Sequence, residues 1–271
     1  MSIFSIVTVT RDNLPGLKRT HDSLKAQTFH DFEWVVIDGA SGDGTPDYLR
    51  TTDAAWVSEP DSGLYDAMNK GLGKAAGDHI IFMNAGDLFA APDVLDKIKS
   101  AIAAVRPAFI YGDALEERPG QPPALKPARA HDKIAEGMFT HHQAMIYRRD
   151  VIGDLRFDTA YAIGADYKFT AQFLSKSGKI LRLDFPVCLF EAGGVSQRRA
   201  RQGRSEQFRI RRELALCREI ENVRIYAAQT AIMFLRRLSP GLYWKLRQSC
   251  GNNASGRARG QTPSVRPENP A

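Results

Sequence analysis

Residues 3–10 read I-F-S-I-V-T-V-T, an apolar and β-branched run typical of a strand that is buried on both faces. A helical pattern follows at residues 14–24, with Asp12 or Asn13 available as its N-terminal cap. The alternation then continues through further segments: strands at 34–37, 56–58, 79–83 and 109–111, and helices at 47–51, 64–76 and 93–105. This order predicts an α/β fold with a mainly parallel central sheet, whose ligands bind beyond the carboxyl ends of the strands.

Polar residues gather after four of these strands: T-R-D-N at 10–13, D-G-A-S-G-D-G-T at 38–45, E-P-D-S-G at 59–63 and N-A-G-D at 84–87. The glycines of 38–45 would let a ligand approach the backbone, and Asp38 can accept a hydrogen bond from a base or ribose. The alternative is an ordinary glycine-rich turn with an Asx cap. The sequence contains neither the G-x-G-x-x-G dinucleotide fingerprint after the first strand nor a G-K-[ST] phosphate loop.

Asp87 ends the apolar run I-I-F-M-N-A-G-D. Together with Asn84, its carboxylate offers oxygen ligands to a divalent cation, and Mg²⁺ or Mn²⁺ suits such a site beside a diphosphate. The alternative role is an N-cap for the helix that begins near Pro92. Asp87 stands several residues too early for that cap, so we favour the cation.

The four motifs in this order resemble the nucleotide-binding half of family 2 glycosyltransferases, which are inverting enzymes of the GT-A, or nucleotide-diphospho-sugar transferase, fold. The segments that carry the similarity are T-V-T-R-D-N, V-I-D-G-A-S-G-D-G-T, S-E-P-D-S-G-L-Y-D-A-M-N-K-G and G-D-H-I-I-F-M-N-A-G-D. It is dense over residues 3–113 and weaker through 195. Bacterial transferases of exopolysaccharide or O-antigen assembly are the most similar in character.

The resemblance implies a set of nucleotide- and donor-binding residues: Thr8, Arg11, Asp38, Asp61, Asp66, Asn69, Asn84, Gly86, His142 and Arg198. It also implies that Asp87 is the metal-binding carboxylate. Two positions depart from the family pattern. N-A-G-D lacks the first carboxylate of the usual Asp-x-Asp motif, and Gly39 stands where many relatives carry a second Asp.

The family places an acid at the start of a helix after the acceptor-side strands, and here that helix start reads I-G-A-D-Y at 163–167. The resemblance therefore implies that Asp166 is the catalytic base. It would take the proton of the acceptor hydroxyl as that hydroxyl attacks the anomeric carbon opposite the leaving diphosphate. The alternative is that Asp166 simply caps the helix at 166–175.

Three further segments carry expectations. Residues 116–131 are rich in proline and basic groups and predict a loop or flap. His141 and His142 precede a strand, where neighbouring side chains point to opposite faces, so we expect at most one to serve the site. The segment G-G-V-S-Q-R-R at 193–199 resembles a flexible basic segment of the family that closes over the diphosphate, although a solvated loop would have the same composition.

Charge is distributed unevenly along the 271 residues, whose formal net charge is +6. Residues 195–271 hold 16 Lys and Arg against 5 Asp and Glu, a balance of +11, which leaves 21 against 26, or −5, for residues 1–194. A basic helical stretch at about 205–247, broken at 239–241, predicts a helix that lies on an anionic membrane surface. A helical hairpin packed on the catalytic domain or on a second copy is the alternative.

The predicted domains are a GT-A domain at 1–197 (nucleotide half 1–115, acceptor half 116–197), a basic helical extension at 198–248 and a disordered tail at 249–271. Three widely spaced cysteines favour a reducing compartment. The sequence has no signal peptide and no apolar run of the roughly 18 residues that a membrane span needs. We therefore expect a cytoplasmic protein that can lie peripherally on the inner face of the cell membrane.

The predicted function is inverting sugar transfer from a nucleotide-diphosphate donor, UDP-sugar first and GDP-sugar second, to a glycan or polyprenyl-linked acceptor of cell-surface polysaccharide synthesis. One alternative is a non-catalytic nucleotide-sugar or glycan-binding protein of the same fold. A nucleic-acid-binding protein would explain the basic C-terminus but not the Asp-rich strand ends, so no nucleic-acid partner is expected. An NAD-dependent oxidoreductase would need the absent fingerprint.

Overall fold

The structure, a computed structural model, describes residues 2–118, 120–191, 193–194 and 198–238. Its strands are β1 (Phe4–Thr10), β2 (Phe32–Asp38), β3 (Ala55–Ser58), β4 (His79–Phe82), β5 (Leu88–Phe89), β6 (Phe109–Arg118), β7 (Gln121–Lys126), β8 (Met145–Arg148) and β9 (Ile180–Phe190). Its helices are α1 (Leu14–Lys25), α2 (Thr45–Leu49), α3 (Leu64–Lys74), α4 (Val94–Val105), α5 (Arg149–Ile152), α6 (Ala165–Lys176), α7 (Ala200–Glu213) and α8 (Glu219–Leu238). Short 3₁₀ turns occupy His131–Glu136 and His142–Ala144.

The first half of the sheet is parallel, as the alternating sequence predicts. Strands β3, β2, β1 and β4 lie in that order, and every neighbouring pair runs in the same direction. β1 is buried along its whole length because Ile6 packs in the core on one face and Val7 in the core on the other. Thr10 pairs with Asp38, and Asp38 pairs with Ser58. The predicted convergence of the polar strand ends at one edge is confirmed.

The second half of the sheet mixes directions. The strand order continues as β8, β6, β9 and β5, with β8 antiparallel to both β4 and β6, and β9 parallel to β6. β5 follows Asp87 directly and pairs antiparallel with the end of β9, where Leu88 lies opposite Leu189. This short pairing brings the chain after β9 beside the end of β4.

Two expectations about local structure are wrong. Part of the predicted loop at 116–131 forms β7, which pairs with β6 alone. Pro122 and Pro123 are tolerated there because an edge strand does not need every backbone N–H for its ladder. The basic helical stretch is interrupted between α7 and α8 at 214–218. The break predicted at 239–241, the end of the extension and the tail at 249–271 lie outside the described residues.

The chain divides into two compact units, Met1–Arg218 and Glu219–Ala271. Helix α7 belongs to the first unit and buries Gly203, Glu206 and Ile210 there, whereas the sequence grouped it with a separate extension from 198. Helix α8 belongs to the second unit. Among the described helices, none is long and apolar enough to cross a membrane.

Candidate active site

A cleft of about 960 Å³ opens at the carboxyl edge of the parallel strands. It is lined by strand ends, by the start of α3, by the segment at 140–143, by the start of α6 and by α7. Seven of the predicted site residues line it: Arg11, Asp66, Asn84, Asp87, His142, Asp166 and Arg198. The structure therefore brings the predicted metal-binding carboxylate and the predicted base into one cavity.

The other predicted residues lie outside the described lining of this cleft: Thr8, Asp38, Asp61, Asn69 and Gly86. Thr8 is fully buried and accepts a hydrogen bond from the indole N–H of Trp34 at 2.9 Å. The carboxylate of Asp38 is also fully buried, and it accepts hydrogen bonds from the hydroxyls of Ser41 and, at 2.6 Å, Ser58. Both side chains thus have hydrogen-bond partners within the protein.

Asn69 joins α3 to the acceptor half. Its amide nitrogen donates to the carbonyl of Phe157 at 2.9 Å, and its amide oxygen accepts from the N–H of Phe157 at 2.8 Å. Asp61 accepts from the N–H of Gly63 at 2.9 Å. A Cβ atom on Gly39 would lie 2.4 Å from Asp61 Oδ2, so the glycine at this position leaves room for that carboxylate.

The loop at 38–45 is tied down by the start of α1. Asp12 accepts from the N–H of Gly42 at 2.9 Å, and Asp43 accepts from the N–H of Leu14 at 2.7 Å. Asp43 also accepts from the N–H of Thr45 at the first residue of α2. These contacts are those of the turn that was the alternative interpretation of this loop.

Asp87 lies at the end of a tight turn that begins at Asn84 and passes through Gly86 at φ 106°. Its carboxylate is buried, with Oδ2 accepting from Gln143 Nε2 at 2.6 Å and Oδ1 accepting from the N–H of Glu191 at 3.0 Å. Burial raises the pKa of Asp87 to about 7, against the opposing effect of these two donors. Helix α4 has Asp93 as its N-cap, so the capping alternative for Asp87 is wrong.

Two residues next to Asp87, one in the same turn and one that donates to its carboxylate, each have a buried amide oxygen. Asn84 Oδ1 and Gln143 Oε1 are both buried, and neither has a hydrogen-bond partner among the described residues. Mg²⁺ and Mn²⁺ prefer such carboxylate and carbonyl oxygens. Within the described ranges, no group of three His, Cys, Asp or Glu residues could hold a metal ion. The donor set therefore fits a cation whose coordination is completed by phosphate oxygens, not one enclosed by protein.

Asp166 is the second residue of α6, whose N-cap is Gly164, so the N-cap alternative for Asp166 is wrong. Its Oδ1 accepts from the N–H of Tyr167 at 2.7 Å and from the hydroxyl of Tyr65 at 3.2 Å. Its Oδ2 lies 3.6 Å from His142 Nδ1. Burial raises the pKa of Asp166, while the nearby His142 and the hydrogen-bond donors oppose that rise.

His142 connects the two carboxylate sites. Its Nε2 lies 3.3 Å from Asn84 Nδ2, in the turn that ends at Asp87, and its Nδ1 faces Asp166. Burial lowers the pKa of His142, which favours the neutral ring. With Asn84 donating to Nε2, the ring proton is assigned to Nδ1, on the side of Asp166.

The strand alternation behind the expectation for the paired histidines is absent. His141 and His142 both line the cleft because they lie at the start of the 3₁₀ turn, where the alternation of a strand does not apply. The ring of His141 stacks on Phe190 with centroids 4.2 Å apart, and its Nε2 lies 3.1 Å from Glu116 Oε1. Burial lowers the pKa of His141 to about 4.

Four residues of this site received no role from the sequence. Tyr65 and Gln143 stand inside the motifs S-E-P-D-S-G-L-Y-D and H-H-Q, so their positions offered a signal. Glu191 follows β9 and pairs with Arg19 at 3.1 Å, and Glu206 lies in the basic helix α7. No motif marks either glutamate, because each reaches the site only through the folding of a distant segment.

Basic side chains form the wall of the cleft that α7 provides. Arg198, Arg199 and Arg204 line it, and Arg204 donates to the carbonyl of Ala200 at 3.1 Å. Part of the segment expected to close over a diphosphate, residues 195–197, lies outside the described residues. The described arginines place positive charge at the same cleft as the two carboxylates.

A parallel first half of the sheet, an edge cleft and two carboxylates that line it are the features that the resemblance to glycosyltransferases led us to expect. The sequence pattern of the family described as "Glycosyl transferase family 2" matches residues 5–156. The chain belongs to this family and is a glycosyltransferase.

Curated relatives agree with this assignment. An uncharacterized glycosyltransferase of Mycobacterium tuberculosis is 30% identical over 203 residues, which cover 72% of this chain and 77% of the relative. A PGL/p-HBAD biosynthesis glycosyltransferase of Mycobacterium bovis is 30% identical over 205 residues, which cover 72% of this chain and 79% of the relative.

Solved structures show the same fold. S. aureus TarS 1-349 in complex with UDP superposes with a TM-score of 0.65 at 18% identity, covering 88% of this chain and 73% of the TarS 1-349 chain. The mannosyltransferase PcManGT from Pyrobaculum calidifontis, in complex with GDP-Man and Mn²⁺, gives a TM-score of 0.58 at 18% identity, covering 93% of this chain and 80% of PcManGT. The predicted GT-A fold is confirmed.

Proposed function

We propose that the chain is an inverting glycosyltransferase that moves a sugar from a nucleotide diphosphate to a hydroxyl of a glycan or a polyprenyl-linked acceptor. One observation carries this proposal. Asp87, which is buried, and Asp166, which is partly buried, are carboxylates from distant segments that line the same cleft, with Asn84 and His142 between them. One carboxylate serves the leaving group, and the other serves the attacking hydroxyl.

Asp166 is the general base of this proposal. Its carboxylate takes the proton of the acceptor hydroxyl while the hydroxyl oxygen forms a bond to the anomeric carbon. The bond from that carbon to the diphosphate breaks on the opposite face, so the configuration inverts. A carboxylate whose pKa is raised by burial is a stronger base than an exposed one, and its match to the working pH improves.

The diphosphate leaves with negative charge, and the cleft offers two kinds of stabilisation. Arg204 on α7, together with Arg198 and Arg199 just before it, supplies positive side chains. Asp87, with Asn84 Oδ1 beside it, would hold Mg²⁺ or Mn²⁺. That ion, when bound, would neutralise the charge on the phosphate oxygens.

A UDP-sugar is the preferred donor and a GDP-sugar the second choice. TarS was crystallised with UDP and PcManGT with GDP-Man and Mn²⁺, which supports nucleotide-diphosphate donors and a divalent cation. Arg11 and Asp66 line the cleft, and this position supports the proposal that they contact the donor. Donor contacts for the residues outside the described lining, Asp38 among them, are supported by the family resemblance.

In this proposal the acceptor belongs to the synthesis of a cell-surface polysaccharide or a related glycoconjugate. The M. bovis relative, which is named as a PGL/p-HBAD biosynthesis glycosyltransferase, supports a biosynthetic role. The enzyme would work in the cytoplasm and lie on the inner face of the membrane through its C-terminal part. Helix α8 supports this location because Ile220, Val223, Ile232 and Phe234 are exposed on it. The part of the basic helical stretch at 239–247 lies outside the described residues.

Flotation with vesicles tests the membrane contact. We expect the protein to float with vesicles that contain an anionic lipid and to stay behind with purely zwitterionic ones. The double variant Ile232→Ser, Phe234→Ser should float less, while a control change on a buried strand of the other unit, Val35→Ala, should not alter flotation. Failure to bind anionic vesicles at low salt would remove the membrane from the proposal.

A thermal-shift panel tests the donor and the cation together. UDP, GDP, TDP and CMP are each added with and without Mn²⁺, since a ligand of the folded state raises the melting temperature by mass action. We expect one diphosphate to stabilise the protein, and only when the cation is present. The matching nucleotide sugar is then supplied with an acceptor, and the anomeric configuration of the product is read by NMR. A product with retained configuration would contradict the single displacement.

A further inference from the structure

The carboxylate of Glu206 on α7 is buried against the segment that leads into α6. Its Oε2 accepts hydrogen bonds from the N–H groups of Ile163 at 2.8 Å and Gly164 at 2.7 Å. Its Oε1 accepts from the N–H of Ala162 at 3.3 Å and from Gln202 Nε2 at 2.8 Å. One side chain thus satisfies three consecutive backbone donors of this segment.

Close packing fixes the same contact from both sides. A Cβ atom on Gly203 would lie 3.0 Å from Ile163 Cγ2, and one on Gly164 would lie 3.1 Å from Ile210 Cδ1 and 3.2 Å from Glu206 Cβ. The two glycines therefore allow α7 to approach the segment at 162–164 more closely than larger residues would. Such an approach leaves the segment little freedom to shift without moving α7 as well.

The carbonyl side of this segment is held by the donor half of the molecule. The hydroxyl of Tyr65, in the first turn of α3, lies 2.6 Å from the carbonyl oxygen of Ile163 and 3.2 Å from Asp166 Oδ1. The segment before Asp166 is therefore held from two sides. Glu206 accepts hydrogen bonds from its N–H groups, and Tyr65 donates one to the carbonyl oxygen of Ile163. These contacts determine where the first turn of α6 begins and hence where the carboxylate of Asp166 points.

We propose that Glu206 is a positioning residue for Asp166, and that α7 is consequently part of the catalytic apparatus and not an appendage to it. This inference rests on the proposed role of Asp166 as the base. Hydrogen bonds to an ionised acceptor are stronger than those between neutral groups. Loss of the carboxylate would leave up to three N–H groups unsatisfied, two of them on the buried residues Ile163 and Gly164. The segment would then rearrange, and the base would lose its orientation.

Three variants test this proposal: Glu206→Ala, Glu206→Gln and the control Glu33→Ala. Glu33 offers a matched contact at the opposite edge of the sheet, where its Oε1 accepts from the N–H groups of Ala76 at 2.5 Å and Gly77 at 3.0 Å. Turnover is followed as nucleotide release from UDP-glucose, UDP-GlcNAc or GDP-mannose, whichever raises the melting temperature most. Hydrogen exchange of the peptides at 158–168 and 75–83 is measured on the same samples.

Glu206→Ala should lower kcat at least tenfold and change the KM for the donor less than threefold, because orientation of the base is lost while the donor side is intact. Exchange should rise at 158–168 and not at 75–83. Glu206→Gln should recover most of the lost kcat, since one amide oxygen can keep the two short bonds to Ile163 and Gly164. In Glu33→Ala, exchange should rise at 75–83 and not at 158–168, and kcat should stay within twofold of the wild type.

Two outcomes would overturn the positioning role alone: Glu206→Ala with a kcat within twofold of the wild type, or Glu206→Ala and Glu33→Ala with equal losses of kcat. If Glu206→Ala does not fold, Gly203→Ala replaces it, since its new Cβ would push α7 away from Ile163 and should produce the same loss of kcat. Full turnover by Asp166→Asn would instead contradict the proposed base itself. The two failures are therefore distinguishable.

Discussion

The cleft contains two carboxylates whose surroundings differ in kind. Around Asp87 the structure provides two donors, Gln143 Nε2 and the N–H of Glu191, and also two buried amide oxygens without a described partner, on Asn84 and Gln143. Around Asp166 it provides donors: the hydroxyl of Tyr65, the N–H of Tyr167 and the ring of His142. Asp87 is buried and the side chain of Asp166 is 21% exposed, and desolvation raises the pKa of both carboxylates.

The neighbouring groups therefore prepare the two carboxylates for different partners. A cluster rich in unsatisfied oxygen atoms is costly unless a cation or a proton joins it. A carboxylate surrounded by donors is held in a defined orientation and keeps more of its ionised form. The first arrangement suits the leaving group, and the second suits a base that must receive one proton.

The largest expected effect comes from Asp166→Asn, which keeps the shape of the side chain and removes its basicity. We expect turnover to fall by about 10²–10⁴, the usual contribution of general base catalysis. The melting-temperature shift produced by the donor should remain. Asp93→Asn, on the exposed N-cap of α4, serves as the control and should keep full turnover. A variant with an unchanged kcat would show that the donor-rich surroundings of Asp166 have no catalytic purpose.

Asp87→Ala should remove the cation dependence of nucleotide binding. Without the carboxylate, the remaining amide oxygens of Asn84 and Gln143 are neutral and hold a divalent ion weakly. Turnover should fall by about 10²–10³, since charge stabilisation in the transition state is lost. Isothermal titration with Mn²⁺ in the presence of UDP measures the binding directly. Binding of the cation with unchanged affinity would remove Asp87 from that role and weaken the contrast between the two clusters.

Asn69→Ala separates a structural contact from a donor contact. The Asn69 side chain hydrogen-bonds to both the N–H and the carbonyl of Phe157. Its loss should therefore lower the free energy of unfolding by about 1–3 kcal/mol. Urea denaturation measures this change. The melting-temperature shift that the nucleotide produces should be the same as in the wild type. A smaller shift in melting temperature would indicate that Asn69 contributes to donor binding.

The smallest effect is expected on the pH profile. Asp166 must be ionised to act as a base, so kcat should fall as the pH drops through its raised pKa. Tyr65→Phe removes a donor that favours the ionised form, so the acid limb should move to higher pH, by roughly 0.4–1.1 units for a hydrogen bond of about 0.5–1.5 kcal/mol. His142 also faces Asp166, and burial lowers the pKa of its ring. A limb that moves to lower pH would contradict the assigned role of Tyr65.

Much of the nucleotide half could be predicted because its signals are local. The run at 3–10 is buried as expected, Asn13 caps α1 through the N–H of Gly16, and the strand ends meet at one edge. The acceptor half was predicted less well. β7 contains two prolines that indicated a loop, and the paired histidines, expected to follow the alternation of a strand, lie at the start of a 3₁₀ turn. In both places, pairing or packing with distant residues outweighed the local pattern.

The order of motifs along the chain was enough to determine the family, the parallel nucleotide half and the edge at which the ligand should bind. Backbone propensity and hydrophobic periodicity are properties of neighbouring residues, so they can be recognised in the sequence before the fold is known. Glu191 and Glu206 carry no such signal. Only the tertiary structure brings Glu191 into contact with Asp87, and Glu206 into contact with the segment before Asp166. Their roles depend on contacts across more than forty positions of sequence, and such contacts exist only once the sheet and α7 have packed.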